Sequence, residues 1–360
     1  MRPEGMKISF FGSSLVSAYW NGAATYYRGI IRELDRKGHR VTFYEPDAYG
    51  RQQHRDIPDP DWARVVVYEA SRPGVDAALD DARRADLVIK ASGVGVFDEY
   101  LEKSVLDLGG AAPVIFWDVD APATLDRIGG NPDDPFRLLI PRYSAILTYG
   151  GGDPVARAYR GYGARDCIPV YNALDTSTHY PVAASSRFAA DMGFLGNRLP
   201  DREERVEEFL FRAAERCPAR SFLLGGNGWE GRGLPANVRL LGHVYTDEHN
   251  EFNSSVRTVL NISRESMARY GYCPATRVFE AAGAGACIIT DLWEGVELFL
   301  EPGREVIPAR DGNEVAEALE GMTTAKAREI GEAARRRVLA QHTYRHRAEQ
   351  LEALLNGGIS

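Results

Sequence analysis

The chain has 360 residues, 44% of them hydrophobic and 26% charged, as in ordinary globular proteins, and its length suggests two or three domains. A formal charge of −8 with no Lys/Arg block argues against a nucleic-acid partner. Cys167, Cys217, Cys273 and Cys287 form no C-x-x-C pair, no uncharged apolar run reaches the ~20 residues of a membrane span, and "MRPEGMK" leads straight into a short apolar strand without a leader-like segment. A cytoplasmic protein with no zinc or disulfide framework and no transmembrane segment is therefore expected.

In chain order, "KISFFGSS" reads as a strand ending in a Gly/Ser loop. "GAATYYRGIIRELDRKGH" follows as a helix with Tyr26, Ile30 and Leu34 on one face, stopping at Gly38. Further strands are expected at "RVTFYEP", "ADLVIKAS", "APVIFWDVD", "SAILTYG" and "CIPVYNAL". The polar, aperiodic "DTSTHYPVAASS", residues 175–186, reads as a linker. Beyond it come "ADMGFLGN", the helix "PDREERVEEFLFRAAERC", then strands at "SFLLGGN", "NVRLLGHV", "RTVLNIS", "ACIITD" and "REVIPARD". One long helix is expected from about Thr323 to Leu355. Strand–helix alternation twice over predicts an α/β chain of two doubly wound, Rossmann-like domains facing a central cleft. The division is 1–174, linker 175–186, and 187–338, with 339–360 as a closing helix.

Ligands of open parallel sheets sit beyond the carboxyl ends of the strands, so those ends are the candidate sites. In the second domain they are glycine-rich or polar: Gly196, Asn197 and Arg198; Gly226 and Asn227; Gly242, His243 and Val244; Asn261, Ser263, Arg264 and Ser266. Such glycines let backbone approach a phosphate or a base, or simply turn the chain. No G-x-x-x-x-G-K-[ST] is present, which excludes a P-loop, and the N-terminal "FFGSSLVSAYWNGA" is not G-x-G-x-x-G, so the ordinary dinucleotide fingerprint is missing after the first strand.

The stretch "GYCPATRVFEAAGAGACIITD" predicts a helix with Pro274 at its first position, whose free N–H groups and dipole favour an anion. Thr276 lies at its start. Arg277 could add a charge-assisted bond to a phosphate, and Glu280, three residues on, could accept both hydroxyls of a ribose. A plain i,i+3 salt bridge is the alternative. In the first domain, Asp118 and Asp120 close the apolar "APVIFW". They could act as a general base or as a metal-holding D-x-D, and Asp120 could instead cap the following helix. Asn21, Gly22, Tyr149 to Asp153, Asn172 and Asp175 are further strand-end candidates. His243 and His249 sit in different elements with no matching Cys/His set, so no metal site is expected.

The run "TRVFEAAGAGACIITD" resembles the donor-site helix of GT-B glycosyltransferases. With "DVDAP", "LTYGGG", "GFLGNRLPDRE", "LGGNGW", "NVRLLGHV", "VLNISRESMARYG" and "QHTYRHRAEQL", the chain is similar over most of residues 6–350 to CgeB-like (spore maturation protein) glycosyltransferases. The resemblance implies a nucleotide-diphosphate-sugar donor, no cofactor and no required metal, an unidentified small-molecule, glycan or protein acceptor, and a last helix that crosses back to the first domain. It implies that Glu280 binds the ribose, that Arg198 and backbone groups at the start of the Pro274 helix contact the diphosphate, and that Gly242 to Val244 edge the base. The E-x7-E pattern of retaining relatives is broken, because Tyr272 stands where its first acid would be. That leaves retention and inversion both open, with Asp118 or Asp120 the base for inversion. The rival expectations are a nucleotide-sugar epimerase of the same architecture and a non-catalytic two-lobed binding or spore-associated protein.

Overall fold

The computed structural model describes residues 5–19, 21–108 and 112–357. Trp20 and the first four residues of "MRPEGMK" lie outside the described residues. By its contacts the chain divides into unit 1, residues 1–171 with 344–360, and unit 2, residues 172–343. The segment expected to be a linker, 175–186, is counted with unit 2, and the final helix with unit 1.

Unit 1 holds seven parallel strands: β1 Lys7–Phe11, β2 Arg40–Asp47, β3 Arg64–Glu69, β4 Leu87–Ala91, β5 Val114–Asp118, β6 Ala145–Thr148 and β7 Cys167–Pro169. Their order is β3-β2-β1-β4-β5-β6-β7, which reverses between β1 and β4. Strand β3 was not expected from the sequence. It is an edge strand with Arg64, Val67 and Glu69 exposed, Val65 and Val66 half-buried and Tyr68 buried. Helix Ala24–Arg36 buries Tyr26, Tyr27, Ile30, Ile31 and Leu34, the face predicted from their spacing. Phe10, Phe43 and Trp117 close the core around them.

Unit 2 holds six parallel strands: β8 Ala190–Leu195, β9 Phe222–Gly225, β10 Val238–Gly242, β11 Val256–Asn261, β12 Cys287–Asp291 and β13 Ile307–Ala309. Their order, β10-β9-β8-β11-β12-β13, is that of a doubly wound nucleotide-binding sheet with its switch point between β8 and β11. The predicted helix over 200–217 forms over 200–216, with a π-helical turn at Glu207–Phe211 in its middle.

Three expectations are corrected. The closing helix is two helices, Thr324–Gln341 and Tyr344–Gly357. They part where Thr343 forms a parallel bridge with Leu174, whose N–H donates to the His342 carbonyl. The segment after β11, expected as a loop, contains the short helix Glu265–Tyr270. The "PATRVF" helix begins at Thr276, with Ala275 as its extended cap, so Pro274 precedes the helix instead of opening it.

Candidate functional site

Backbone pairing between β8 and β11 runs from Ala190/Val256 to Gly193/Val259. Beyond it, Arg277 bridges the two strands: its guanidinium donates to Asn261 Oδ1 at 3.1 Å and to the Leu195 carbonyl. This corrects the expectation that Arg277 reaches out to a phosphate. It is half-buried against Phe194, its centre 4.9 Å from the ring centroid, and it braces the floor of the switch-point crevice. The predicted i,i+3 bridge to Glu280 does not form among the described residues, because Arg277 spends its donors on Asn261 and Leu195.

The loops above this floor are tied to one another by backbone. Gly196 N–H donates to the Gly225 carbonyl (2.8 Å), Arg198 N–H to the Asn227 carbonyl (2.9 Å), and Gly226 N–H to the Gly242 carbonyl (2.7 Å). Asn227 N–H donates to Asn197 Oδ1 (2.9 Å), and Trp229 Nε1 to the Gly196 carbonyl (2.7 Å). Gly226 has φ 129°, and a Cβ there would collide with the Gly196 carbonyl, so only glycine lets these two loops meet. Gly242, at φ 70°, turns β10 into the exposed His243, whose ring packs edge-on to Tyr245 at 4.5 Å and lies 3.4 Å from Asn227 Nδ2. Val244 is buried.

Five arginines gather here. Arg198 pairs with Glu203 (2.7 Å) and Arg264 with Asp201 (2.6 Å). Arg205 donates to Asp291 (2.6 Å), Glu265 (3.0 Å) and the Ser263 carbonyl (2.9 Å). Ser263 in turn donates to Asp291 through N–H (3.1 Å) and hydroxyl (3.2 Å), so Ser263 is a strut. Arg202 was missed by sequence reasoning. Its guanidinium donates to the Asn197 carbonyl (3.2 Å) but makes no ion pair among the described residues, and its Nε is buried without a partner. Burial and the neighbouring Arg264 lower its pKa, although Asp201 opposes them. Burial and Arg202 likewise lower Arg277, to about 10, so Arg277 remains a cation at neutral pH. Clustered like charges with one unsatisfied donor are what an anion relieves.

Glu280 lies in the second turn of the helix Thr276–Gly283, half-buried, with His179 Nε2 3.7 Å from its carboxylate. Tyr272 holds a left-handed backbone at φ 50°. Its N–H donates to the Glu294 carbonyl (2.6 Å) and its hydroxyl to the Glu294 carboxylate (3.0 Å).

In unit 1 the two aspartates separate. Asp118 is fully buried. It accepts from the Tyr159 hydroxyl, Thr124 Oγ1 (3.1 Å) and Asp120 N–H (3.0 Å), so it fastens the β5 turn and is not an accessible base. Asp120 is half-exposed at the cap position of Ala121–Gly130, without a side-chain capping bond. Asn21 is buried, bonded to Ser13, Ser14 and Ser17 within its own loop. Asn172 is buried with its amide 3.4 Å from the Pro274 carbonyl, and Asp175 accepts from Ser177. A hollow of 650 Å³ opens at the opposite, amino edge of the unit 2 sheet. Its one carboxylate, Asp191, is already matched by Arg220 and Arg257.

Residues 202–353 match the model of the glycosyl transferase-like family. No curated protein matches the chain in sequence. Among solved structures, the chain is similar to HepE of Anabaena in complex with UDP and glucose, at 16% identity over 98% of this chain and 100% of that one, with a TM-score of 0.68. It is similar to the sucrose-phosphate synthase of Thermosynechococcus elongatus at 14% identity, 98% of each chain and TM-score 0.71. An α-glucosyltransferase in complex with UDP-glucose and abasic DNA aligns at 15% identity, 98% and 100% coverage and TM-score 0.71. The architecture is the two-unit GT-B fold, and the family match falls on residues 202–353. No helix among the described residues is long and apolar enough to cross a membrane.

Proposed function

We propose that this GT-B, glycosyltransferase-like chain moves a sugar from a nucleotide-diphosphate sugar to an acceptor hydroxyl, with the donor held at the carboxyl edge of the unit 2 sheet. The observation that carries the reading is Arg202: a half-buried cation with an unpartnered donor, beside Arg198, Arg264 and Arg277, at the switch point of a nucleotide-binding sheet. A diphosphate supplies the missing negative charge. Arg202, Arg198 and Arg264 contact it, and the backbone N–H groups at Thr276 add to the field. Glu280 accepts the ribose hydroxyls, and Asn227 with Gly242 to Val244 edges the base. HepE and the α-glucosyltransferase, solved with UDP or UDP-glucose, support this nucleotide class.

Guanidinium and helix-end charge stabilise the leaving diphosphate, so the transfer is proposed to need no metal. The acceptor is assigned to unit 1, where Asp120 is the proposed base for an inverting transfer. Membership of the CgeB-like subfamily is the finer proposal, resting on the sequence resemblance.

Nucleotide release from a panel of sugar nucleotides, with and without acceptors, tests the activity, and calorimetric UDP affinity tests the site. A hydrogen bond to a charged group contributes about 1.5–3 kcal/mol. Arg202→Ala and Glu280→Gln should therefore each weaken UDP by about tenfold or more. Unchanged affinity in both would refute the assignment, and an epimerised donor without an acceptor would redirect the activity.

A further inference from the structure

His179, His249 and Glu280 come together in unit 2 from three distant stretches of chain, with one ligand atom of each within 4.8 Å of the others. The proton of the His179 imidazole is already placed. The Thr178 hydroxyl donates to the Asp175 carbonyl, so its oxygen, 2.9 Å from His179 Nδ1, accepts from that nitrogen. This leaves His179 Nε2 as a bare lone pair. It is buried, has no hydrogen-bond partner, and faces the Glu280 carboxylate at 3.7 Å. The His249 ring is bonded to the Val244 backbone and is largely buried. Two imidazoles and a carboxylate thus bring one ligand atom each to a single place.

We propose that these three residues form a site for a borderline transition-metal cation of the Zn²⁺ type, with an open fourth position. Two imidazoles and one carboxylate are the donor set of open tetrahedral zinc sites, and they disfavour Mg²⁺ or Ca²⁺, which take oxygen ligands. Zinc bonds of about 2.0–2.2 Å require the three ligand atoms to close slightly from their present spacing. Thr178 is the outer partner that fixes the His179 tautomer. Arg277 also acts on His249 and opposes positive charge there, a repulsion that the ligand bonds must offset. The metal is not the Lewis acid of the transfer. By occupying Glu280 it competes with the donor, and this second clause alone rests on the ribose assignment.

The test is a titration of the full chain with Co²⁺ alone, read by its visible ligand-field bands and by equilibrium dialysis. One equivalent should bind with the intense bands of a low-coordinate site. His179→Ala and His249→Ala should each lose at least tenfold in affinity. The exposed Thr178→Val, which leaves the core untouched, should lose about tenfold, and His54→Ala nothing. Absence of one-to-one binding, or binding that survives both His179→Ala and His249→Ala in folded protein, would overturn the site. UDP affinity with and without Co²⁺ separates the two clauses. Cobalt bound without effect on UDP removes the competition and the ribose role while the metal site stands. No cobalt binding, with UDP weakened by Arg202→Ala and Glu280→Gln, removes the metal site while the donor reading stands.

Discussion

The switch point beyond β1 and β4 and the one beyond β8 and β11 stand on the same strand order, and they are filled in opposite ways. In unit 1 the chain plugs its own crevice with charges of both signs. Glu45 is fully buried and accepts from Ser14 Oγ, Leu15 N–H and Gln52. Arg51 donates to the Ser13 carbonyl beneath it. Lys90, also fully buried, pairs with Asp98 (2.6 Å) and Glu102 (3.5 Å), and Asp98 holds the N–H groups of Val94 and Gly95. In unit 2 the same place is lined by glycines and guanidiniums, and Arg202 has no carboxylate of its own. Paired opposite charges complete a structure. Like charges left over await a ligand. A strand order alone therefore does not mark a nucleotide site, whereas the sign and pairing of what fills its switch point does.

The largest effect should come from breaking the plug. Lys90→Ala leaves the buried Glu102 and the half-buried Asp98 without their cation, and loss of one partner from a buried ion pair costs about 3–5 kcal/mol. Urea or thermal unfolding should show that loss, with UDP affinity of the folded protein unchanged. A fall in UDP affinity with little change in stability would invert the assignment of the two crevices.

The next effect lies in the glycine-lined crevice. Gly226→Ala puts a Cβ against the Gly196 carbonyl at φ 129°, and a strained backbone position of this kind costs on the order of 1–3 kcal/mol. The strain falls on the loops that carry Arg198 and Asn227. UDP affinity should therefore drop about tenfold while Gly12→Ala, in the plugged crevice against Phe43, affects stability alone. Equal UDP affinity in Gly226→Ala and wild type would show that these loops do not form the donor site.

How much of this was legible follows from the range of the interactions. Strand and helix periods are local, so twelve of the strands and the Ala24–Arg36 helix could be read directly. β3 could not, because "RVVVYE" follows the Pro- and Asp-rich "DIPDPDW" and lies half-exposed at a sheet edge. The break at His342–Thr343 depends on a bridge to Leu174, a partner far away in sequence that no local pattern announces. The donor glycines were legible as strand-end residues, but the roles of the charged side chains were not. Arg277 and Asp118 sit where a site residue should and are bound inward, by Asn261 and Leu195 and by Tyr159 and Thr124. Arg202, flanked by Asp201 and Glu203, looked like part of a solvated helix face. Its lack of a carboxylate partner becomes visible only when Asp201 turns to Arg264 and Glu203 to Arg198. His179 was hidden in a segment with the composition of a linker.

The smallest effect is a pH dependence confined to the plug. Burial raises the Glu102 pKa, and the Lys90 charge only partly offsets it. A carboxyl with a raised folded pKa binds its proton more tightly in the native state than in the unfolded chain, so folding takes up a proton as pH falls through the window between them. That window runs from the raised folded value down to the usual glutamate value of about 4.3. Across it, wild type should gain stability relative to Glu102→Gln, which has no proton to take up. The difference should be constant above and below the window. Urea unfolding of both proteins over this range measures the difference directly, free of every other titrating group they share. The opposite slope would mean that Lys90 outweighs burial and that the plug is a net stabilising ion pair at neutral pH. UDP binding gives the contrast: its pH dependence should be the same in the two proteins, because Glu102 belongs to the crevice that needs no ligand.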